Sequence, residues 1–277
     1  MTVKIVTDST SDLPHELAQE LGITVVPLNV HFGTDTFRDG EGMTADQFYH
    51  RLLTNPSLPK TSAPSPGLFR DCYARLGSET SEIVSIHISS KLSGTYEAAL
   101  TGRRDLGDDC RVEVIDSQTV TMGLGLLAVM AAKAARQGAN LDEVSGLVRD
   151  AALRVFMAST LDSLEYLQRG GRIGRAQAWL GSLLSIKPII SVAEGEVVPL
   201  ERVRTYSKAV ARVHELLEAQ LPAKELAVMY STDPGEAERL ITHVRESAPQ
   251  QPVYVARFGP VLGTYMGPDC LAFAALR

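Results

Sequence analysis

Short apolar stretches alternate with amphipathic stretches through the first half of the chain. Residues 3–7 are rich in β-branched side chains, and a polar turn then leads into an amphipathic stretch at residues 15–21 that Gly22 ends. This order predicts a strand, a turn and a helix with a glycine cap. Further strands are predicted at residues 23–32, 83–88 and 112–115, each followed by a predicted helix. Such alternation predicts a mostly parallel sheet flanked by helices.

The pattern changes near residue 155, where predicted strands come closer together. Strands at residues 188–192 and 197–203 flank a turn at Glu194 and Gly195, which predicts a hairpin. The other predicted elements are strands at residues 156–160, 226–230, 253–258 and 271–276 and helices at residues 161–168, 208–220 and 234–247. We therefore expect an α/β protein of two domains, an N-terminal α/β domain (residues 1–155) and a C-terminal α+β domain (residues 156–277).

Composition and charge disfavour several classes of protein. Of the 277 residues, 44% are hydrophobic and 22% are charged, which is typical of a globular protein. The net charge of -6 disfavours general nucleic-acid binding, which needs a basic surface. The three cysteines lie far apart, so neither a disulfide framework nor a structural zinc site is expected. With no membrane span and no signal peptide recognised, a cytoplasmic protein is expected.

Hydroxyl side chains are concentrated where the predicted strands of the first half end. Ligands of open α/β sheets bind beyond the carboxyl ends of the strands. Hydroxyls and free backbone N–H groups at a helix start suit a small anion such as a carboxylate. Taken one at a time, such segments are also ordinary helix caps, and both interpretations stay open. Three segments follow predicted strands, at residues 7–10, 89–95 and 116–117, and the fourth is a predicted loop before a helix, at residues 61–66.

Motifs of several enzyme classes are absent from the sequence. There is no GxSxG nucleophile elbow, no GxxxxGK[ST] phosphate loop and no GxGxxG after a predicted strand. The six histidines lack metal-ligand spacing, so no metal and no cofactor are expected. Arg169, Arg172 and Arg175 lie within seven residues of an acidic chain. This loop is either a solvated surface or a docking site for a partner.

The hydroxyl segments, together with short motifs farther along, resemble the DegV family of fatty-acid-binding proteins. No single motif is decisive, but their order and spacing together are specific, and the resemblance covers essentially the whole chain. The matching residues are TDSTSDL at 7–13, TS at 61–62, PSP at 64–66, ISS at 88–90, LSGTY at 92–96, DS at 116–117, RGGRI at 169–173, KPI at 187–189 and GP at 267–268.

The resemblance implies a two-domain fold with a long-chain fatty acid, such as palmitate, buried between or beside the domains. In the family, residues matching Thr61 and Ser93 hold the carboxylate. Well-studied members are binding subunits that present the acid to a separate ATP-binding fatty-acid kinase subunit. We therefore expect lipid binding, in fatty-acid transport or metabolism, without catalysis by this chain alone. Further candidates for the carboxylate are Ser62, Gly94, Thr95, Ser117 and Tyr265, and candidates for partner docking are Arg169 and Arg172.

One departure from the family pattern concerns the C-terminal motif. The family motif is close to H-x-G-P-G, whereas this chain has Tyr265 in place of the histidine and Asp269 in place of the last glycine. A tyrosine can donate a hydrogen bond, but it is neither a cation nor an acid–base group near neutral pH. Binding is expected to survive this change, and competence in phosphoryl transfer is questioned.

An alternative hypothesis is an enzyme that acts on a small molecule. The dihydroxyacetone kinases are distant structural relatives of the family, and Ser93 could act as a nucleophile. A nucleophilic serine needs a neighbouring base, and the sequence near Ser93 offers only Lys91.

Overall fold

The computed structural model describes residues 2–55, 57–104, 106, 110–179 and 186–277. The strands are β1 (Lys4–Asp8), β2 (Ile23–Val26), β3 (Asn29–Phe32), β4 (Asp35–Arg38), β5 (Lys60–Ser62), β6 (Glu82–His87), β7 (Arg111–Asp116), β8 (Val155–Thr160), β9 (Lys187–Ala193), β10 (Glu196–Val203), β11 (Glu225–Tyr230), β12 (Tyr254–Arg257) and β13 (Leu271–Leu276). The helices are α1 (His15–Leu21), α2 (Ala45–Thr54), α3 (Pro66–Gly77), α4 (Thr95–Arg104), α5 (Met122–Arg136), α6 (Leu141–Ala152), α7 (Glu165–Arg169), α8 (Tyr206–Glu218), α9 (Pro234–Ser247) and α10 (Pro260–Met266). Short 3-10 turns occupy Ser9–Ser11 and Gly174–Trp179.

The N-terminal half forms the parallel sheet that its sequence pattern predicts. Four strands pair in the order β2-β1-β6-β7, all of them parallel. Helix α5 packs on β1 and β6 of this sheet and also on β11 and β13 of the next. Because α5 lies between two sheets, nearly all of its side chains are buried, which explains why it is apolar almost all round.

The C-terminal half forms a mixed sheet of six strands in the order β10-β9-β8-β13-β11-β12. Its pairs are antiparallel except β11 with β12. Helices α8 and α9 build a second apolar core on this sheet. The predicted α/β fold class is therefore confirmed, and the second sheet begins with β8, next to the boundary expected from the sequence.

A small third sheet corrects the prediction of one long strand at residues 23–32. The chain instead forms β2 in the parallel sheet and β3 in an antiparallel sheet of order β4-β3-β5. Pro27 lies between β2 and β3 and has no backbone N–H to donate, which favours a break at this point. Strand β5, which contains Thr61 and Ser62, was predicted as a loop.

Helix α10 is absent from the sequence prediction. All of its seven residues but Tyr265 are buried. The segment therefore has no polar face, and its sequence lacks the alternation of polar and apolar positions that predicts a helix. It contacts α2, α7, β3, β5 and the first 3-10 turn, and thereby joins the C-terminal segment to the N-terminal half. In the part of the chain that the structure describes, no helix is long and apolar enough to cross a membrane.

Candidate functional site

A cavity with about 710 Å³ of atom-free space, part of it open to solvent, lies where residues of both halves of the chain meet. Most of its wall is apolar, including side chains from β8, β9 and α10 and from the loops that follow β2 and β6. Representative wall residues are Leu28, Ile88, Val120, Met157, Ile190 and Phe258. The space therefore suits an apolar ligand that is held mainly by burial.

Four polar side chains from distant parts of the sequence line this cavity, namely Thr61, Ser93, Arg172 and Tyr265. Thr61 Oγ1 lies 2.5 Å from Tyr265 Oη, so the two hydroxyls share a hydrogen bond. The guanidinium carbon of Arg172 lies 5.2 Å from the centre of the Tyr265 ring. All four residues are half-buried, so their polar atoms form an end of the cavity that remains accessible from outside.

Arg172 introduces a positive charge where the sequence predicted only uncharged donors. Its Nε donates to the carbonyl of Leu92 at 3.1 Å, and its Nη1 donates to the carbonyl of Gly170 at 2.8 Å. These bonds and the stacked ring of Tyr265 hold the guanidinium at the cavity. Arg172 was expected at a docking surface, whereas its side chain lies in the wall of the cavity. An anion bound at this end would lie near a fixed cation.

Ser93 has no base in hydrogen-bond contact. Among the described residues its hydroxyl bonds only with Thr95, at 2.8 Å to Oγ1 and 3.3 Å to the backbone N–H. Lys91, the only base suggested by the sequence, lies instead 3.5 Å from Glu196. The geometry therefore gives no support to Ser93 as a nucleophile.

Of the further carboxylate candidates, Tyr265 lines the cavity, whereas Ser62 and Ser117 do not. Ser62 alternates with Thr61 along β5, is exposed and bonds with His31 Nε2 at 3.0 Å. Ser117 is fully buried and donates to the carbonyl of Thr119 at 3.3 Å. Both hydroxyls are thus used in local structure.

The other two candidates are close to Ser93 but do not reach the cavity. Gly94 is exposed, and Thr95 is fully buried at the start of α4. Arg169, the other docking candidate, is exposed and pairs with Glu165 within α7. Three of the four hydroxyl segments contribute a side chain to the cavity, through Thr10, Thr61 and Ser93, and the segment at residues 116–117 does not. The direction of each side chain required the tertiary structure.

Four further hydroxyls line the cavity and were not singled out individually from the sequence, namely Thr10, Thr121, Ser159 and Ser191. Thr10 donates to Asp8, and Thr121 donates to Asp12 at 2.6 Å. Thr10 belongs to a hydroxyl segment recognised in the sequence. Ser159 lies in β8 and Ser191 lies in β9, and neither belongs to a sequence motif that indicates a binding site.

A buried chain of hydrogen bonds has the composition of a catalytic triad. His87 Nδ1 lies 2.9 Å from Asp8 Oδ2, and His87 Nε2 lies 2.7 Å from Ser85 Oγ. All three side chains have no solvent exposure, and Ser85 also bonds with Tyr73 at 2.8 Å. A nucleophile must reach its substrate, and Ser85 does not line the cavity. The arrangement instead ties the ends of β1 and β6 together.

Comparison with known proteins connects this chain to one family. The family model described as "Uncharacterised protein, DegV family" matches residues 2–277. A DegV domain-containing protein of Halalkalibacterium halodurans is 37% identical over 96% of this chain and 95% of its own length. A solved DegV family protein from Thermus thermophilus, described by its fatty-acid binding, has a TM-score of 0.90 and 33% identity, covering 100% of this chain and 99% of its own. DegV of Bacillus subtilis, described as a fatty-acid-binding protein, has a TM-score of 0.92 and 32% identity over the same shares.

Proposed function

Because the chain belongs to the DegV family, we propose that it binds one long-chain fatty acid such as palmitate. The carboxylate lies at the polar end of the cavity, and the acyl tail extends along the apolar walls. The observation that carries this proposal is the meeting of Thr61, Ser93, Arg172 and Tyr265 at one end of a cavity with mostly apolar walls.

The polar end has the donors that a carboxylate requires. Arg172 contributes a cation, and hydrogen bonds to a charged group contribute roughly twice as much as neutral ones. Ser93 and the bonded pair of Thr61 and Tyr265 contribute hydroxyls, one of which can turn toward the ligand. The bound anion is thereby paired with a charge and hydrogen-bonded, which offsets the cost of removing it from water.

Burial of the tail contributes most of the binding free energy. A sixteen-carbon acid has about 14 methylenes, and at about 0.8 kcal/mol each their full burial is worth roughly 11 kcal/mol. Association costs take back several kcal/mol of this. The polar end therefore sets orientation and excludes ligands without an acid group, while the walls determine affinity.

The partial exposure of the polar end supports a role in presenting the acid to another protein. The carboxylate would be reachable from outside, whereas the tail would be enclosed. We propose that a separate ATP-binding kinase subunit phosphorylates the carboxylate there, and that this chain supplies no phosphate-binding loop of its own. Arg169 is exposed and lies three positions before Arg172 in the sequence, and it is the candidate docking residue.

The direct test is the binding of palmitate to purified, delipidated protein by titration calorimetry. Mass spectrometry of the protein before delipidation identifies what it carries. We expect a stoichiometry of one and a loss of affinity of about fivefold to tenfold in Thr61→Val or Ser93→Ala, the cost of one or two hydrogen bonds. Ser62→Ala is the matched control, because Ser62 neighbours Thr61 but is directed away from the cavity. No bound lipid and no measurable palmitate binding would overturn the proposal.

A further inference from the structure

The short helix α10 is held at its two ends by different groups. Near its C-terminal end, Tyr265 bonds to Thr61 at the polar end of the cavity. At its N-terminal end, two buried carboxylates lie against Gly259, the residue before its first turn. Asp12 Oδ1 accepts from Gly259 N at 2.9 Å, and Asp39 Oδ1 lies beside the same glycine. Gly259 and Tyr265 are six residues apart, or about 9 Å along a helix.

The two carboxylates lie close to each other around Gly259. A Cβ atom added at Gly259 would lie 3.3 Å from Asp12 Oδ1 and 3.2 Å from Asp39 Oδ1. Both carboxyl groups are therefore directed at one point of the backbone, and a side chain at this position would crowd both. This close approach makes the start of α10 sensitive to any change in the spacing of the pair.

Each carboxylate also connects to the wall of the fatty-acid cavity. Thr121, which lines the cavity, donates to Asp12 Oδ2 at 2.6 Å and has a φ of +50°, which is strained for a β-branched residue. The backbone N–H of Asp39 donates to the carbonyl of Leu28, another cavity residue, at 2.9 Å, and the N–H of Leu28 donates to Oγ of Ser9, which lines the same cleft as Asp39. The pair thus contacts both the helix that carries Tyr265 and the wall beside the tail.

The environment of the pair favours the protonated form. Burial is the main cause that raises the pKa of Asp12 to about 8 and that of Asp39 to about 7; the negative charges of Asp39 and Asp8 contribute to the increase at Asp12, and that of Asp8 contributes at Asp39. An open cleft on the far side of α10 gives protons access to Asp12 and Asp39. The other titratable or charged groups facing the pair or lining this cleft are His15, Glu41, Tyr49, Arg257 and Cys270.

We propose that Asp12 and Asp39 are positioning residues for the fatty-acid head group, which act through α10 and make binding depend on whether the pair holds a proton. The inference rests on the proposed function. With at least one proton, the two carboxyl groups lie side by side and hold the first turn of α10. When both are ionised, two like charges in a buried site repel each other. The first turn then loosens, and Tyr265 loses its bond to Thr61.

The direction in which palmitate affinity changes with pH follows from the coupling between proton binding and palmitate binding. Binding that requires a proton on the pair weakens as pH rises past the pair's pKa values, by up to tenfold per pH unit. We expect the dissociation constant for palmitate to increase about tenfold between pH 7 and pH 9 in the wild-type protein. The doubly substituted Asp12→Asn, Asp39→Asn protein keeps one acceptor oxygen at each position, which at position 12 can face Gly259 N while the amide NH2 donates to Thr121 Oγ1. It cannot ionise, so its dissociation constant should change by less than about twofold.

The matched control is Glu41→Gln, because Glu41 lines the same cleft and pairs with Arg38 on the surface. It should keep the wild-type pH profile. Any titration of palmitate itself is common to all three proteins and cancels in the comparison. Parallel profiles in the wild-type and doubly substituted proteins would overturn the inference.

A second measurement needs neither a variant nor a ligand. Hydrogen exchange of residues 259–266, corrected for the intrinsic pH dependence of exchange, should lose protection between pH 7 and pH 9, whereas β8 should not. Unchanged protection of α10 would also overturn the inference. Failure of the proposed function is distinguishable, because it appears as no palmitate binding at pH 7 whatever the exchange of α10.

Discussion

Thr61 and Tyr265, 204 positions apart in the chain, share a hydrogen bond of 2.5 Å between their hydroxyl oxygens at the cavity. The bond joins β5 of the small third sheet to α10, which precedes the last strand. Neither hydroxyl has this partner unless both domains are folded and packed together. The polar end of the cavity is therefore a product of the interface between the two halves.

Tyr265→Phe should weaken palmitate binding about fivefold, because one hydrogen bond worth about 1 kcal/mol is lost and the ring is kept. Calorimetric titration at pH 7 measures the change. Tyr254→Phe is a suitable control, since that hydroxyl bonds to Lys133 far from the cavity. Equal affinities of Tyr265→Phe and the wild type would remove Tyr265 from the head-group site.

Arg172→Gln should weaken binding of palmitate more than tenfold, because the carboxylate loses a charged hydrogen-bond donor. Binding of methyl palmitate, which has no charge, should change much less. Both ligands are measured with the wild-type and Arg172→Gln proteins. Loss of the charge interaction weakens binding of palmitate alone, whereas a movement of the Tyr265 ring away from its position beside the guanidinium weakens binding of both ligands. Arg169→Gln is the control and should retain full affinity for both ligands; a similar loss in this variant would mean that bulk surface charge drives the effect.

Gly170→Ala should weaken binding by displacing the ring of Tyr265. An added Cβ would come within 2.5 Å of that ring, and the φ of Gly170 is negative, so the effect is steric rather than conformational. We expect a loss of affinity of about tenfold, similar to or larger than that of Tyr265→Phe. Gly146→Ala has open space around its Cβ and should behave as the wild type. Normal palmitate affinity in Gly170→Ala would show that the position of the ring is unimportant.

Val192→Phe should shift the preference of the cavity toward shorter acids. Val192 lines the cavity and is only partly buried, so the larger ring can enter the cavity without displacing the core. The loss of two or three methylene contacts for palmitate corresponds to about tenfold or more in affinity. A series of acids from ten to eighteen carbons measures the shift. An equal loss for every chain length would place Val192 away from the acyl tail.

The buried acid pair should make stability depend on pH. The pKa of Asp12 is raised from 3.8 to about 8 in the folded protein, so the folded state binds more protons than the unfolded state between these values. The stabilising contribution is full below about pH 4 and is lost as pH rises through 8. The free energy of unfolding of the wild type should therefore fall by a few kcal/mol between pH 5 and pH 9, and that of Asp12→Asn should not show this loss. Urea unfolding at pH 5, 7 and 9 measures the difference. Glu41→Gln should follow the wild type, and a constant difference between Asp12→Asn and the wild type would contradict the prediction.

Local sequence patterns were sufficient for most of the elements and for the class of the fold. The bounds of α1 agree with the prediction, because the amphipathic period and the Gly22 cap are both contained in the segment. The hydroxyl segments at the strand ends also indicated where polar groups gather. These properties depend on residues close in sequence, so a single chain segment contains the necessary information.

Contacts between distant segments were decided only by the tertiary structure. The direction of Thr61 into the cavity and of Ser62 away from it depends on the pairing of β5 with β3, 29 to 33 positions earlier in the chain. The apolar segment of α10 has no periodicity, so its helix depends on its neighbours and on the carboxylate of Asp12, which accepts from Gly259 N. Arg172 became part of the cavity because Leu92 and Gly170 accept its N–H groups. Burial, side-chain direction and the proximity of charges arise when the two halves pack together, and no local pattern encodes them.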